Sequence, residues 1–379
     1  MSLPATTTPA FSRRAREILN GTIQPIVVIA FAMIGVLVLL AVTGYDPVRA
    51  VDAMGRSLGK DLGGTVRWAT PLILTGVASA LAFRAGVLNI GVDGQIYVGG
   101  IFASMVALGP AAGLPGIVGI PLVILAGILG GALWALIPGT LRVKFGADEL
   151  VTSILLISVA RLLVEFLVLG PMAAAGAASA SLGTDQFAES LWLPVIIPRS
   201  TANIGFFIAI AVAIGMAFVF YRTTIGYALK MVGQNRRFAV YGGISPIRTF
   251  MIAMVGSGAI GGLVGAMELT GVMRRMPQGF DPGLGFDGIV VTLLARNNPI
   301  GCIFAALFFG MLRTAADNME RFADTPRTVV QIVQAIIVLA ISAQLTFGWL
   351  RSRMNRRATP TSGVAADELS ARSGIDMPA

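Results

Sequence analysis

If this chain performed acid–base chemistry, the work would fall to Asp93 and Asp287. Each lies in a Gly-x-Asp-Gly element, Gly91-Val92-Asp93-Gly94 and Gly285-Phe286-Asp287-Gly288, that opens an apolar segment. The rest of the usual inventory is missing. Among 379 residues there is no His and a single Cys, Cys302. That removes Ser-His-Asp and Cys-His pairs, His metal sites, internal disulfides and CxxC motifs. Neither aspartate sits in a recognisable catalytic pattern, so the pair does not by itself make an enzyme. Two stretches imitate nucleotide sites. Residues 256–261 read Gly-Ser-Gly-Ala-Ile-Gly, but inside an apolar span with no preceding strand. Residues 55–61 have three residues between the glycines where a phosphate loop needs four, and Asp61 follows the Lys. Small residues in apolar helices serve close packing instead, as the pairs Gly127/Gly131 and Gly261/Gly265 suggest. No catalytic residue, metal ligand set or resident cofactor is expected.

The elements that must position these residues are apolar helices. Apolar types make up 55 % of the chain and charged types 12 %, against roughly a quarter charged in soluble domains. This composition predicts an all-α membrane protein. Ten apolar segments follow one another at 25–43, 68–83, 94–108, 117–137, 150–170, 204–221, 249–272, 284–295, 299–312 and 328–350. The domain reading is a basic tail at 1–20, a membrane domain at 21–350 and a tail at 351–379 expected to be disordered. The net charge of +9 is distributed as the positive-inside rule requires, with no alternation of basic and aromatic residues for stacking nucleic-acid bases. Arg13, Arg14 and Arg16 precede the first span, and Arg351, Arg353, Arg356 and Arg357 follow the last. The loop 222–248 carries Arg222, Lys230, Arg236, Arg237 and Arg248 and no acid. Ten spans place this loop and both termini in the cytoplasm, and residues 170–203 outside.

Residues 89–95 and 283–289 resemble each other and fall on helices three and eight of this count. Their spacing predicts an inverted repeat of helices 2–5 and 7–10, as in many transporters. An aspartate at mid-helix costs about 2.5–3.5 kcal/mol on insertion scales. Two readings of Asp93 and Asp287 stand: broken helices lining a pathway, or helix N-caps near the surface. Further polar candidates for a translocation pathway are Asn89, Gln95, Glu268, Gln331 and Gln334. Arg161 and Glu165, four apart, are expected to form an intramembrane ion pair.

Two stretches carry a family resemblance. Thr70-Pro71-Leu72-Ile73-Leu74-Thr75-Gly76 and Ala82-Phe83-Arg84-Ala85-Gly86-Val87-Leu88-Asn89-Ile90-Gly91-Val92-Asp93-Gly94-Gln95 resemble permease subunits of binding-protein-dependent ABC importers. The likeness is to the simple-sugar and nucleoside branch, related to the ribose and branched-chain amino-acid permeases. That branch usually reads FRAGLFNIGAEGQ, so Asp93 stands where Glu is usual. Thr224 to Asn235, with Ala239 and Gly242-Gly243-Ile244, is similar to the family's ATPase-coupling segment. Lys230, Met231, Arg236 and Phe238 replace its usual Arg, Ala, Pro and Ala. The resemblance spans about residues 20–350.

The resemblance implies that ATP and magnesium are handled by a partner ATPase. Gly226, Leu229, Lys230, Gly233, Asn235, Arg236 and Arg237 would form the coupling site, with a short helix at 227–232. It also implies a second, different permease subunit, an extracytoplasmic binding protein or lipoprotein, and a bacterial inner-membrane location. The solute would be a nucleoside or simple sugar. A secondary transporter, or an importer of riboflavin or branched-chain amino acids, is the alternative.

Overall fold

The computed structural model describes residues 61–174, 183–280 and 283–322, plus the scattered positions 37, 38, 41, 44, 46, 48, 49, 52, 55, 332, 335 and 336. The chain divides into two units, Val48–Thr325 and a second made of Met1–Pro47 with Pro326–Ala379. The fold described below is that of the first.

The order of elements is α1 Leu62–Arg84, α2 Val92–Leu108, α3 Gly116–Phe145, α4 Glu149–Leu169, α5 Gly205–Arg222, α6 Thr224–Gln234, α7 Arg236–Tyr241, α8 Pro246–Glu268, α9 Leu284–Leu294 and α10 Pro299–Phe322. A 3₁₀ turn spans Glu189–Leu191, and α8 runs into a π-helical turn, Leu269–Met273. Among the described residues there is no sheet, only two isolated β-bridges. The all-helical expectation is therefore borne out. Helices α1, α3, α4, α5, α10 and the α8 segment to Met273 are long and apolar enough to cross a membrane. Helices α2 and α9 are apolar but shorter. Eight of the ten apolar segments coincide with these helices. Apart from positions 37, 38, 41, 332, 335 and 336, the first and tenth lie outside the described residues, as do Gln331 and Gln334.

Helix starts follow the local chemistry. Asp61 caps α1, its Oδ1 accepting from the Gly64 amide at 2.8 Å, so α1 begins six residues before the apolar run suggests. Asp148 caps α4 by accepting from Leu150 and Val151. Gly146, with φ of 69°, ends α3 in the left-handed conformation that favours glycine.

Helices α1, α2 and α8 form the interior, whereas α3, α4 and α5 bury only a stripe. Their outer faces carry Leu125, Leu129, Leu155, Leu162, Phe166, Phe207 and Phe218, the surface a lipid-facing helix needs. Glycine sets the interior spacing. A Cβ on Gly262 would fall on the Gly127 carbonyl, and one on Gly131 on the Gly258 carbonyl. Two helix backbones therefore touch without side chains between them. The GxxxG face that meets α3 is Gly258/Gly262. Gly261 and Gly265 instead face α2, against Gln95 and the Ile96 carbonyl. The GxGxxG stretch is thus a packing surface.

Residues 183–204 are tied to the end of α8. Thr184 and Phe187 amides donate to Met276 and Arg274 carbonyls at 2.9 and 2.8 Å, and the Leu193 amide to Thr270 at 3.1 Å.

Candidate functional site

The loop between α5 and α8 folds as two helices. Thr223 Oγ1 accepts from the Gly226 amide at 3.2 Å and starts α6. Asn235 Oδ1 accepts from the Phe238 amide at 3.0 Å and starts α7. The expected helix at 227–232 is present and extends from Thr224 to Gln234. Its inner side seats on the body. Leu229 and Ala239 are buried, and a Cβ on Gly226 would fall on the Val219 carbonyl at the end of α5. At the far end, a Cβ on Gly233 would fall on the Arg84 carbonyl, with the Gly86 amide 3.0 Å away. Gly86 answers with φ of 71° and its own Cβ direction facing Gly233 Cα at 3.3 Å. The two sequence signatures are therefore in backbone contact.

The outer side is basic and apolar. Lys230, Arg236 and Arg237 are exposed, beside Phe238, Val240 and Tyr241, the last 90 % exposed. Two grooves border the segment. One, of about 300 Å³, is lined by Gly86, Arg142, Glu149, Gly233 and Arg236. The other, of about 450 Å³, is lined by Ile225, Tyr227, Leu229, Ile244 and Arg248. Of the seven expected coupling residues, Gly226, Leu229 and Gly233 seat the segment, Asn235 caps α7, and the three cations face outward.

Behind this surface the polar candidates are buried and joined. Arg84 donates to the Phe220 carbonyl at 3.3 Å and lies over the Phe220 and Tyr221 rings. Five residues on, Asn89 and Gln95 exchange two amide hydrogen bonds of 3.2 Å. Asn89 also donates to Ser257 on α8 at 2.9 Å and accepts from the Gly91 amide at 3.1 Å. Asp93, 3 % exposed, accepts from the Gly285 amide at 2.7 Å. The two Gly-x-Asp-Gly elements thus meet, the aspartate of one on the glycine of the other. Gly285 is required there, since a Cβ would stand 2.7 Å from Asp93 Cγ.

Further charges pair across the helices. Arg67 and Glu268 form an ion pair at 3.0 Å, with Glu268 buried. Asp287 pairs with Arg313. Trp68 donates to Asp317 at 2.7 Å, and the Arg67 and Arg313 guanidiniums lie 3.7 and 4.6 Å from its ring centre. Arg161 and Glu165 pair at 3.7 Å as expected from their spacing. That pair is on the outside of α4, at 53 % and 37 % exposure. Sequence reasoning missed Arg67, Arg84, Ser257, Arg313 and Asp317. The signal for Arg67, Ser257 and Arg313 was available: an acid or amide in an apolar span needs a partner on another span. Among the described residues no cluster of His, Cys, Asp and Glu fits a metal ion.

Residues 62–342 match the family model described as branched-chain amino acid transport system / permease component. The chain is 30 % identical over 343 residues to the guanosine ABC transporter permease protein NupP of Bacillus subtilis, covering 89 % of this chain and 98 % of that protein. It is 33 % identical over 333 residues to the nucleoside ABC transporter permease protein NupB of Lactococcus lactis, covering 84 % and 90 %. It is 32 % identical over 350 residues to the glucose ABC transporter permease protein TsgB13 of Haloferax volcanii, covering 89 % of each.

Proposed function

We propose a function from one premise: the chain belongs to the family of branched-chain amino acid transport system permease components, and is the multi-pass membrane permease of an ABC importer. Its solute is a nucleoside, the class named for two of the relatives. A simple sugar is the second choice, named for the third. ATP and magnesium are bound by a partner ATPase, which docks on α6 and α7. The observation that carries this is the two-sidedness of that segment. Glycines seat it against α5 and the α1–α2 turn, while cations and exposed aromatics face away. Contiguous exposed apolar surface rimmed by charge suits a protein partner.

The importer contains a second permease. The Arg161–Glu165 pair supports this, because an ion pair on an apolar membrane face is costly unless protein or water covers it. We further assign ten spans with both termini in the cytoplasm from the charge distribution of the loops, an inverted repeat from the likeness of residues 89–95 and 283–289, and an inner-membrane location from the family. An extracytoplasmic binding protein delivers the solute. Asp287, partly exposed beside Arg313, is the described polar candidate best placed to meet a pathway. Asn89, Asp93, Gln95 and Glu268 frame it.

The test is uptake into vesicles carrying this chain together with its partner ATPase, second permease and binding protein. Labelled guanosine should enter only with ATP. Reversing charge with Arg236→Glu and Arg237→Glu should detach the ATPase and stop uptake. Uptake that persists without any ATPase, driven by an ion gradient, would establish a secondary transporter instead.

A further inference from the structure

The geometry points to Asp93 as the positioning residue that keeps α9 in step with the docking segment; the inference rests on the importer reading above. Three joints connect the two, each without slack. The first is backbone on backbone. Gly233 at the end of α6 meets Arg84, Ala85 and Gly86, and no side chain lies between them. Ala85 and Val87 in this turn are buried, so it has little room to move independently. The second joint is the Asn89 amide. It binds Gly91 in its own turn, Gln95 one turn into α2 and Ser257 on α8. The turn, the start of α2 and the middle of α8 are therefore one hydrogen-bonded unit. The third joint is Asp93 itself.

Helix α9 has no side-chain cap of its own. It starts after Gly283, with φ of 57°, and Gly283 supplies no side-chain acceptor. The acceptor comes from Asp93 on α2, at the second amide of α9. Asp93 is also in the first turn of α2. One carboxylate therefore lies at the N-terminal ends of two helices. Gly288, one turn further, lies against Thr75 on α1, so α9 is held to the interior at both its first and second turns. A displacement of α6 is passed from the 84–86 turn through residues 89–93 to the start of α9. Asp287, on the next residue but one from Gly285, moves with it.

The test compares Asp93→Asn, Asp93→Glu and Gly285→Ala in the assembled importer, scoring assembly, ATP hydrolysis and solute uptake separately. If the unchanged complex shows no ATP-driven uptake, the importer reading fails, and that result is distinct from those below. In an active complex, Asp93→Asn should keep assembly and hydrolysis within about twofold while uptake falls about tenfold, the scale of a modest coupling energy. Asp93→Glu should restore uptake, because the related pattern carries Glu at this place, and Gly285→Ala should uncouple as Asp93→Asn does. Full uptake by Asp93→Asn, or equal losses of hydrolysis and uptake in an assembled complex, overturns the proposal. If Asp93→Asn does not assemble, spin labels at the exposed positions 88 and 286 in the otherwise unchanged chain decide. A distance that stays constant through ATP addition supports the joint. A distance that changes overturns it.

Discussion

The α6–α7 segment and the 89–95 turn are both polar stretches bounded by glycine, and they use those ingredients in opposite ways. In the segment, glycines face inward and seat it, while the cations remain in solvent. In the turn, the side chains of Asn89, Asp93 and Gln95 are buried and each has a protein partner. A polar residue left exposed is available to a partner molecule. One saturated inside sets a geometry and offers little further binding, because every donor moved to a solute must leave another unpaired. Both regions combine polar side chains with glycine; what separates them is burial.

This contrast can be broken by substitution. Gly233→Val has the largest expected effect. Its Cβ collides with backbone, which cannot rotate away, and overpacking of this kind costs about 1–3 kcal/mol. ATP-driven uptake should fall about 100-fold, with the permease still present in the membrane by immunoblot. Asn89→Ala comes next. It strands buried groups of Gln95 and Ser257, at about 1–3 kcal/mol for each unsatisfied group. Thermal unfolding in detergent should shift down by several degrees, and a double-mutant cycle with Gln95→Ala should be non-additive. If Asn89→Ala leaves Tm unchanged and blocks only solute entry, the turn is a binding site and the contrast fails.

Arg236→Ala with Arg237→Ala should do the reverse. Exposed positions cost within about 0.5 kcal/mol, so Tm should hold while affinity for the ATPase drops about tenfold and loses salt dependence. The smallest effect belongs to Asn235→Ala, which removes the α7 cap at about 1 kcal/mol. Faster amide exchange at 236–241, with no change elsewhere, would measure it.

The helices were legible because lipid imposes one rule on every residue of a span. The α6 helix and the Arg161–Glu165 pair were legible because their determinants are local in sequence. The pairings Arg67–Glu268 and Asp93–Gly285 join residues about 200 apart in the chain, at 201 and 192, and no periodicity encodes them. The packing face of α8 was half legible. Gly256, Gly258, Gly261, Gly262 and Gly265 lie on several sides of one helix, so spacing alone offered more than one GxxxG pair. The facing helices decided which glycine meets α3 and which meets α2.

The seam between α3 and α8 has a consequence for motion. Gly127, Gly131, Gly258 and Gly262 bring carbonyls and α-carbons together with no rotamers between them. At these four positions there is no alternative interdigitation to step into, and little side-chain entropy to gain by loosening. Such a seam does not ratchet. The two helices should travel as a single rigid strut, leaving relative motion to interfaces built from longer side chains.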